Sequence, residues 1–356
     1  MTAGRAGVIA RPPRSWITNW ANAYALQAGG GGQAHVACFG DSVTQGYYAT
    51  EPFYQNGWTA TLRSALNTLT GVTPGTGWTP MKDEFQIVDD RTAAAGSWVN
   101  ATTGPSFFQN YYYANGSGDT YEFGPVTCSA FKVMYLRVSG GGSFTVKIDG
   151  SLAATISCNG ATAVLTQEIS AGSAGSHTML IEWASGNAFP IAVEAVSNPT
   201  AGARVSSVAH SGAQCSLLVG QATLLGSRYC VQAMGQVDLA VVAFGLNEAN
   251  AGTSTTTYKT HMSTLIGDLK TMGASVLILA APPPNTSFIS AVTWNSFRTA
   301  MAELSVSLGT GLLDMTDYWT SYAVSSAYYH DNVHPNNAGH AAMGPIVADF
   351  VIDAIA

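Results

Sequence analysis

Three nearly unbroken apolar runs, 35–39, 238–244 and 275–280, constrain this 356-residue chain more than any other feature. Such runs leave no polar face for water, so each predicts a strand buried on both sides. Helical spacing appears beside them: Leu62, Leu66 and Leu69 within 57–70, then 255–272, 294–308 and 337–355. Strands at 204–209 and 311–315 and a helical stretch over 213–234, weakened by Gly220 and Gly226, complete the alternation. Apolar strands separated by helices imply a parallel sheet covered on both faces. A short helix over 15–27, with Trp16, Ile17, Trp20, Tyr24 and Leu26, precedes a flexible run of four glycines.

From about 92 to 198 the texture changes. Gly, Ser, Thr and Asn become dense, and Phe144, Val146 and Ile148 alternate with polar neighbours before Asp149-Gly150. Asp-Gly after an alternating run is a strong short-range hairpin signal. Further strands are predicted at 131–138, 177–183 and 191–196, with no helical pattern between them. The fold class expected is therefore α/β, interrupted by an inserted all-β domain of sandwich or jelly-roll type. The domains expected are an N-terminal segment over 1–34, an α/β domain over 35–91 and 203–356, and an inserted β domain over 92–202.

Only 10% of the residues are charged, the net charge is −7 and 47% are hydrophobic. An average globular chain has about 25% charged residues, and a disordered chain has more still, so a packed core is expected. The nearest thing to a basic cluster is Arg5, Arg11 and Arg14, which disfavours nucleic acid as a partner. No apolar run approaches the ~18 residues of a membrane span. The first ten residues lack the apolar core of a secretory signal. The five cysteines, Cys38, Cys128, Cys158, Cys215 and Cys230, are odd in number and contain no C-x-x-C pair. Neither a metal site nor a disulfide framework is expected from them, although Cys128 and Cys158 could pair if their strands are neighbours.

Parallel sheets bind ligands at the carboxyl ends of their strands, and four short segments fall there. Phe39-Gly40-Asp41-Ser42 places a candidate nucleophile, Ser42, beyond a permissive glycine; read alone, Asp41 or Ser42 is more simply a helix cap. Ala209-His210-Ser211-Gly212 offers a backbone N–H with no side chain in the way, or merely a turn glycine. Phe244-Gly245-Leu246-Asn247-Glu248 offers in Asn247 an uncharged donor suited to an oxyanion, or a residue that closes a turn. Asp331-Asn332-Val333-His334-Pro335 spaces a carboxylate and an imidazole three apart, so that Asp331 can hold His334 in one tautomer as general base for Ser42. The bland alternative is a surface histidine before a helix-starting proline. His340, His330, Asp314, Asp317, Tyr328-Tyr329 and Pro282-Pro283-Pro284 are expected in structural or wall roles.

Taken together and in chain order, these four segments resemble the SGNH hydrolase superfamily, also called GDSL esterases/lipases. The family's blocks match Gly40-Asp41-Ser42, Gly212, Gly245-Leu246-Asn247-Glu248 and Asp331 to His334. Glu248 stands where Asp is usual, and Val43 where Leu is usual. The resemblance covers about 35–90 and 203–356. It implies a flavodoxin-like three-layer α/β/α fold with a five-stranded parallel sheet. It also implies ester hydrolysis through an acyl-enzyme, with Ser42, His334 and Asp331 catalytic and an oxyanion hole from Ser42, Gly212 and Asn247. No cofactor and no metal are implied.

The function expected is deacylation, foremost deacetylation, of a carbohydrate or glycan polymer. No long apolar lid suited to lipids is evident, and the β module carries aromatics, Trp98 and Tyr111-Tyr112-Tyr113, that could meet sugar rings. The alternatives are a virion or cell-surface glycan-binding protein on a hydrolase scaffold, or a thioesterase or acyltransferase. The location expected is extracellular, cell-envelope or virion-associated. The partner expected is an acylated carbohydrate or other small ester.

Overall fold

The computed structural model describes residues 14–51, 53–68, 72, 75–81, 91–101, 111–197, 201–219 and 227–356. The strands Ala34–Gly40, Ala203–Ala209, Leu239–Ala243, Ser275–Ala280 and Gly311–Asp314 form one parallel sheet. Ala203–Ala209 is at one edge, beside Ala34–Gly40, and the remaining three follow in chain order. This is the 2-1-3-4-5 order of flavodoxin-like folds. The apolar runs read from the sequence are its central strands: every residue of Ala34–Gly40, Leu239–Ala243 and Ser275–Ala280 is buried. Helices Trp58–Thr68 and Asn337–Asp353 pack on each other, as do Thr255–Thr271 and Ala291–Leu308. The helical stretch expected over 213–234 is instead two short helices, Ser216–Val219 and Ser227–Ala233, with 220–226 outside the described residues.

The insertion is antiparallel. Thr79–Pro80, Thr92–Ala95, Thr120–Arg137, Ser143–Ile148, Ser151–Ser157, Ala163–Ser185 and Pro190–Val196 make one seven-stranded sheet. Thr79–Pro80 joins it from within the stretch read as part of the α/β region. The two longest strands, of 18 and 23 residues, pair with each other along most of their length. Register shifts at Phe123/Val126 and Cys128/Ala130 interrupt them, and such irregularities bend strands. One half of the pair continues into Thr92–Ala95 and Ser143–Ile148, the other into Pro190–Val196. Ser143–Ile148 and Ser151–Ser157 form the hairpin expected at Asp149-Gly150.

A polar network ties the insertion to the amino ends of the parallel strands. Arg204 pairs with Glu194 of the antiparallel sheet, whose side chain is fully buried. His35 Nδ1–H donates to Gln236 O (2.8 Å), which leaves Nε2 to accept from the Ser206 hydroxyl (2.8 Å). Ser206 Oγ in turn accepts from Trp78 N–H (2.9 Å). Burial, with the Arg204 charge close by, holds the His35 pKa well below its ordinary value, so the ring is neutral. All five cysteines are buried and unpaired, so Cys128 and Cys158 form no disulfide. Trp98 is half-buried, with its Nε1–H donating to Ala95 O and Thr120 O. Tyr113 packs on Phe189 at 5.4 Å. These contacts tie both aromatics into the insertion's own packing.

Candidate active site

Ser42 follows the first core strand directly and opens a one-turn helix, Ser42–Gln45. The glycine before it is required by close approach: a Cβ on Gly40 would stand 2.2 Å from Thr44 Oγ1 and 2.9 Å from Ala243 O. Asp41 caps the turn, its Oδ1 accepting from Val43 N–H at 3.0 Å. Burial pushes the Asp41 carboxyl up to about 7, and the neighbouring Glu248 charge adds to the rise. Asp41 is therefore the cap, and Ser42 stands at the carboxyl end of the first core strand.

Ser42 Oγ lies 2.9 Å from His334 Nε2, and His334 Nδ1 lies 2.8 Å from Asp331 Oδ2. With Nδ1–H donating to the carboxylate, Nε2 carries the lone pair that accepts from the serine hydroxyl. Asp331 is itself held by its neighbours: Oδ1 accepts from Val333 N–H (2.8 Å) and His334 N–H (2.7 Å). Partial burial works to raise the Asp331 pKa. The hydrogen bonds from the His334 N–H, the His334 ring and the Val333 N–H outweigh it and keep the pKa below the ordinary value. Ser42 is 7% exposed, so the reacting oxygen is sheltered without being sealed.

The two expected donor segments meet the same end of the sheet. Gly212 follows the edge strand Ala203–Ala209, has φ +77° and has open space where a side chain would stand. Asn247 lies in the short helix Leu246–Asn250 after the central strand, and its Nδ2 donates to Ala213 O at 3.0 Å. An amide carries two N–H groups, so one bond to Ala213 leaves a second for a ligand. Glu248 Oε1 accepts from Cys215 N–H at 2.7 Å. Asn247 and Glu248 thus stitch their segment to the Gly212 turn. Sequence reading missed this stitching, because nothing at 213–215 marks those backbone groups as partners.

The other candidates take supporting places. His340 is fully buried on the last helix, and its Nε2–H donates to Tyr47 O at 3.1 Å. Burial pushes its pKa down to about 4, so it is neutral. Asp314 Oδ1 accepts from Thr316 N–H (2.9 Å) at the start of the short helix that holds Asp317, while Oδ2 pairs with Arg298. Tyr329 donates to Pro283 O at 2.7 Å, fixing the proline run beside the Asp331–His334 loop. His330 is exposed and stacks on Tyr48, a partner that the sequence did not flag. Among the described residues no group of three or more His, Cys, Asp or Glu could hold a metal ion, and no helix is long and apolar enough to cross a membrane.

Chemically, a hydroxyl bonded to a carboxylate-held imidazole, with donors on two adjacent loops, can carry out acyl transfer. Comparison with known proteins agrees. The profile of the GDSL-like lipase/acylhydrolase family matches residues 169–342, a span that includes Gly212, Asn247, Asp331 and His334 and begins beyond Ser42. Among solved structures, a peptidoglycan O-acetylesterase superposes with a TM-score of 0.74 at 16% identity, covering 97% of each chain. More distant are a two-domain esterase active on acetylated mannans (TM-score 0.48, 10% identity, 98% of this chain and 55% of that one) and a family two carbohydrate esterase from Clostridium thermocellum (TM-score 0.33, 14% identity, 74% and 98%). No curated protein matches the sequence. Residues 169–342 thus match the GDSL-like lipase/acylhydrolase family, the fold is that of the SGNH hydrolases, and the match marks the protein as a carboxylic ester hydrolase.

Proposed function

We propose that the protein removes O-acetyl groups from a glycan, with Ser42 as nucleophile, His334 as general base and acid, and Asp331 as the group that fixes the His334 tautomer. The observation that carries this reading is the unbroken Ser42–His334–Asp331 chain of hydrogen bonds, 2.9 and 2.8 Å long. As Ser42 Oγ bonds to the ester carbonyl carbon, its proton passes to His334 Nε2. The resulting imidazolium is stabilised by the Asp331 carboxylate. The oxyanion meets the N–H of Ser42, which has no intrahelical acceptor as the first residue of its helix, together with the N–H of Gly212 and the Asn247 amide. The carbon–oxygen bond to the sugar then breaks, and His334 gives its proton to the leaving alkoxide. Water attacks the acetyl-enzyme, its proton goes to His334, acetate leaves, and Ser42 takes the proton back.

The glycan part of the reading draws on the fold shared along its whole length with a peptidoglycan O-acetylesterase. It also fits a chain with only 10% charged residues, whose polarity is mostly uncharged. An extracellular, envelope or virion-associated location follows from such a substrate. The proposed division is an α/β hydrolase over 35–91 and 203–356 with a β insertion over 92–202. Acetate release from 4-nitrophenyl acetate, O-acetylated muropeptides and O-acetylated manno-oligosaccharides tests the reading. Release from at least one glycan and its loss in Ser42→Ala are expected; undiminished release in that variant would remove Ser42 from the chemistry.

A further inference from the structure

The turn that follows the Ser42 helix has a conformation that ester chemistry does not require. Tyr48 has φ +66°, a left-handed backbone that is unfavourable for a bulky side chain and tends to persist where function demands it. Its ring stacks on His330, with centroids 3.9 Å apart and planes within 15°. It also stands 5.3 Å edge-on from the ring of His334, the group beside Ser42. Tyr47 fills the corner, 4.5 Å from Tyr48 and 5.2 Å from His334.

The turn is firmly held. Tyr47 N–H donates to Ser42 O (2.9 Å), Ala49 N–H to Gly46 O (2.9 Å), and His340 Nε2–H to Tyr47 O (3.1 Å). His330 is fixed by its own N–H, which donates to His334 O at 2.9 Å. A tyrosine kept for the core would be buried, yet Tyr48 is 39% exposed and His330 is exposed too. A residue kept only to make the turn would be Gly or Asn, which tolerate this φ at little cost.

We propose that Tyr48, backed by His330, is the platform on which a pyranose ring of the substrate lies, so that Tyr48 sets the preference for a glycan over a small ester. The inference rests on the glycan reading above. A pyranose presents a face of C–H groups that gains by leaving water for an aromatic surface. A ring already fixed by stacking loses little freedom when the sugar arrives. The platform's distance from His334 places that sugar next to the acyl group under attack.

The test compares kcat/KM for O-acetylated muropeptides and manno-oligosaccharides with that for 4-nitrophenyl acetate, in the full-length protein and in Tyr48→Gly, Tyr48→Phe and His330→Ala. For Tyr48→Gly the glycan-to-small-ester ratio should fall about tenfold, through KM for the glycan. Its melting temperature should not drop, because glycine relieves the backbone. Tyr48→Phe should keep the ratio, and His330→Ala should lower it about threefold, which keeps the test intact if the glycine variant folds poorly. A ratio unmoved in both Tyr48→Gly and His330→Ala overturns the platform. So does a loss carried equally by kcat on both substrates, which would make Tyr48 a support for His334. If the unaltered protein cleaves 4-nitrophenyl acetate but none of the glycans, the glycan reading fails and the platform falls with it. If it deacetylates glycans and the ratio stays put, only the platform fails.

Discussion

Replacing Asp331 with Asn isolates the role of the carboxylate. The side chain keeps its size, and its carbonyl oxygen can still accept from Val333 N–H and His334 N–H, now at 2.8 and 2.7 Å from Oδ1. The other oxygen, 2.8 Å from His334 Nδ1, becomes an NH₂ group. Two donors cannot face each other, so the imidazole shifts its proton from Nδ1 to Nε2. Nε2–H then points at Ser42 Oγ and can no longer take its proton. In serine-protease triads the same exchange costs about 10⁴ in turnover. The Asp331 side chain is 37% exposed, which lets water soften the effect. We therefore expect a loss of about 10³-fold in kcat/KM, or about 4 kcal/mol of barrier. The assay is hydrolysis of 4-nitrophenyl acetate, with a melting curve to show that the fold survives. A loss below tenfold in a folded variant would refute the claim that Asp331 sets the His334 tautomer.

Three other outcomes follow from the structure. Asn247→Ala removes both the proposed oxyanion donor and the bond to Ala213 O, and kcat should fall about 10²–10³-fold with a smaller change in KM; steady-state kinetics on the same ester checks this. Arg204→Met leaves the buried Glu194 carboxylate without its partner and should destabilise the protein by about 3–5 kcal/mol in denaturant unfolding, while an unchanged midpoint would mean that the pair contributes nothing. His340 is pushed from its ordinary 6.5 down to about 4. Between those values the unfolded chain binds the proton and the folded one does not, so stability from this group is lost as pH falls from 6.5 to 4, by at most about 3 kcal/mol. His340→Gln, which keeps a donor for Tyr47 O, should flatten that part of the unfolding profile, and an identical slope would contradict the assignment.

The parallel sheet was legible because its strands are buried on both faces, so their apolar runs stand out without reference to partners. The candidate site was legible for a related reason: Ser42, Gly212, Asn247 and the Asp331–His334 pair each sit just past a strand or before a helix that the pattern already placed. The insertion was less so. Ala163–Ser185 is one 23-residue strand, yet its middle, Ser170 to Gly175, is Ser, Ala and Gly with no alternation. Only its partner strand, far away in sequence, determines its course. The Arg204–Glu194 pair, the Glu248–Cys215 bond and the Tyr48–His330 stack are likewise products of topology. The stack joins residues some 280 positions apart, and local spacing carries no trace of it. Exposure is likewise a property of packing: Trp98 and Tyr113, singled out in the insertion, are half-buried against neighbours.

The central claim is that Ser42 forms the covalent bond to the acyl group. Treating the protein with a serine-reactive phosphonate and mapping the adduct by peptide mass spectrometry tests it most directly. One adduct per chain is predicted, on Ser42, forming in step with the loss of esterase activity and absent from Ser42→Ala. An adduct on any other residue that tracks inactivation, or full inactivation with Ser42 unmodified, would contradict the account.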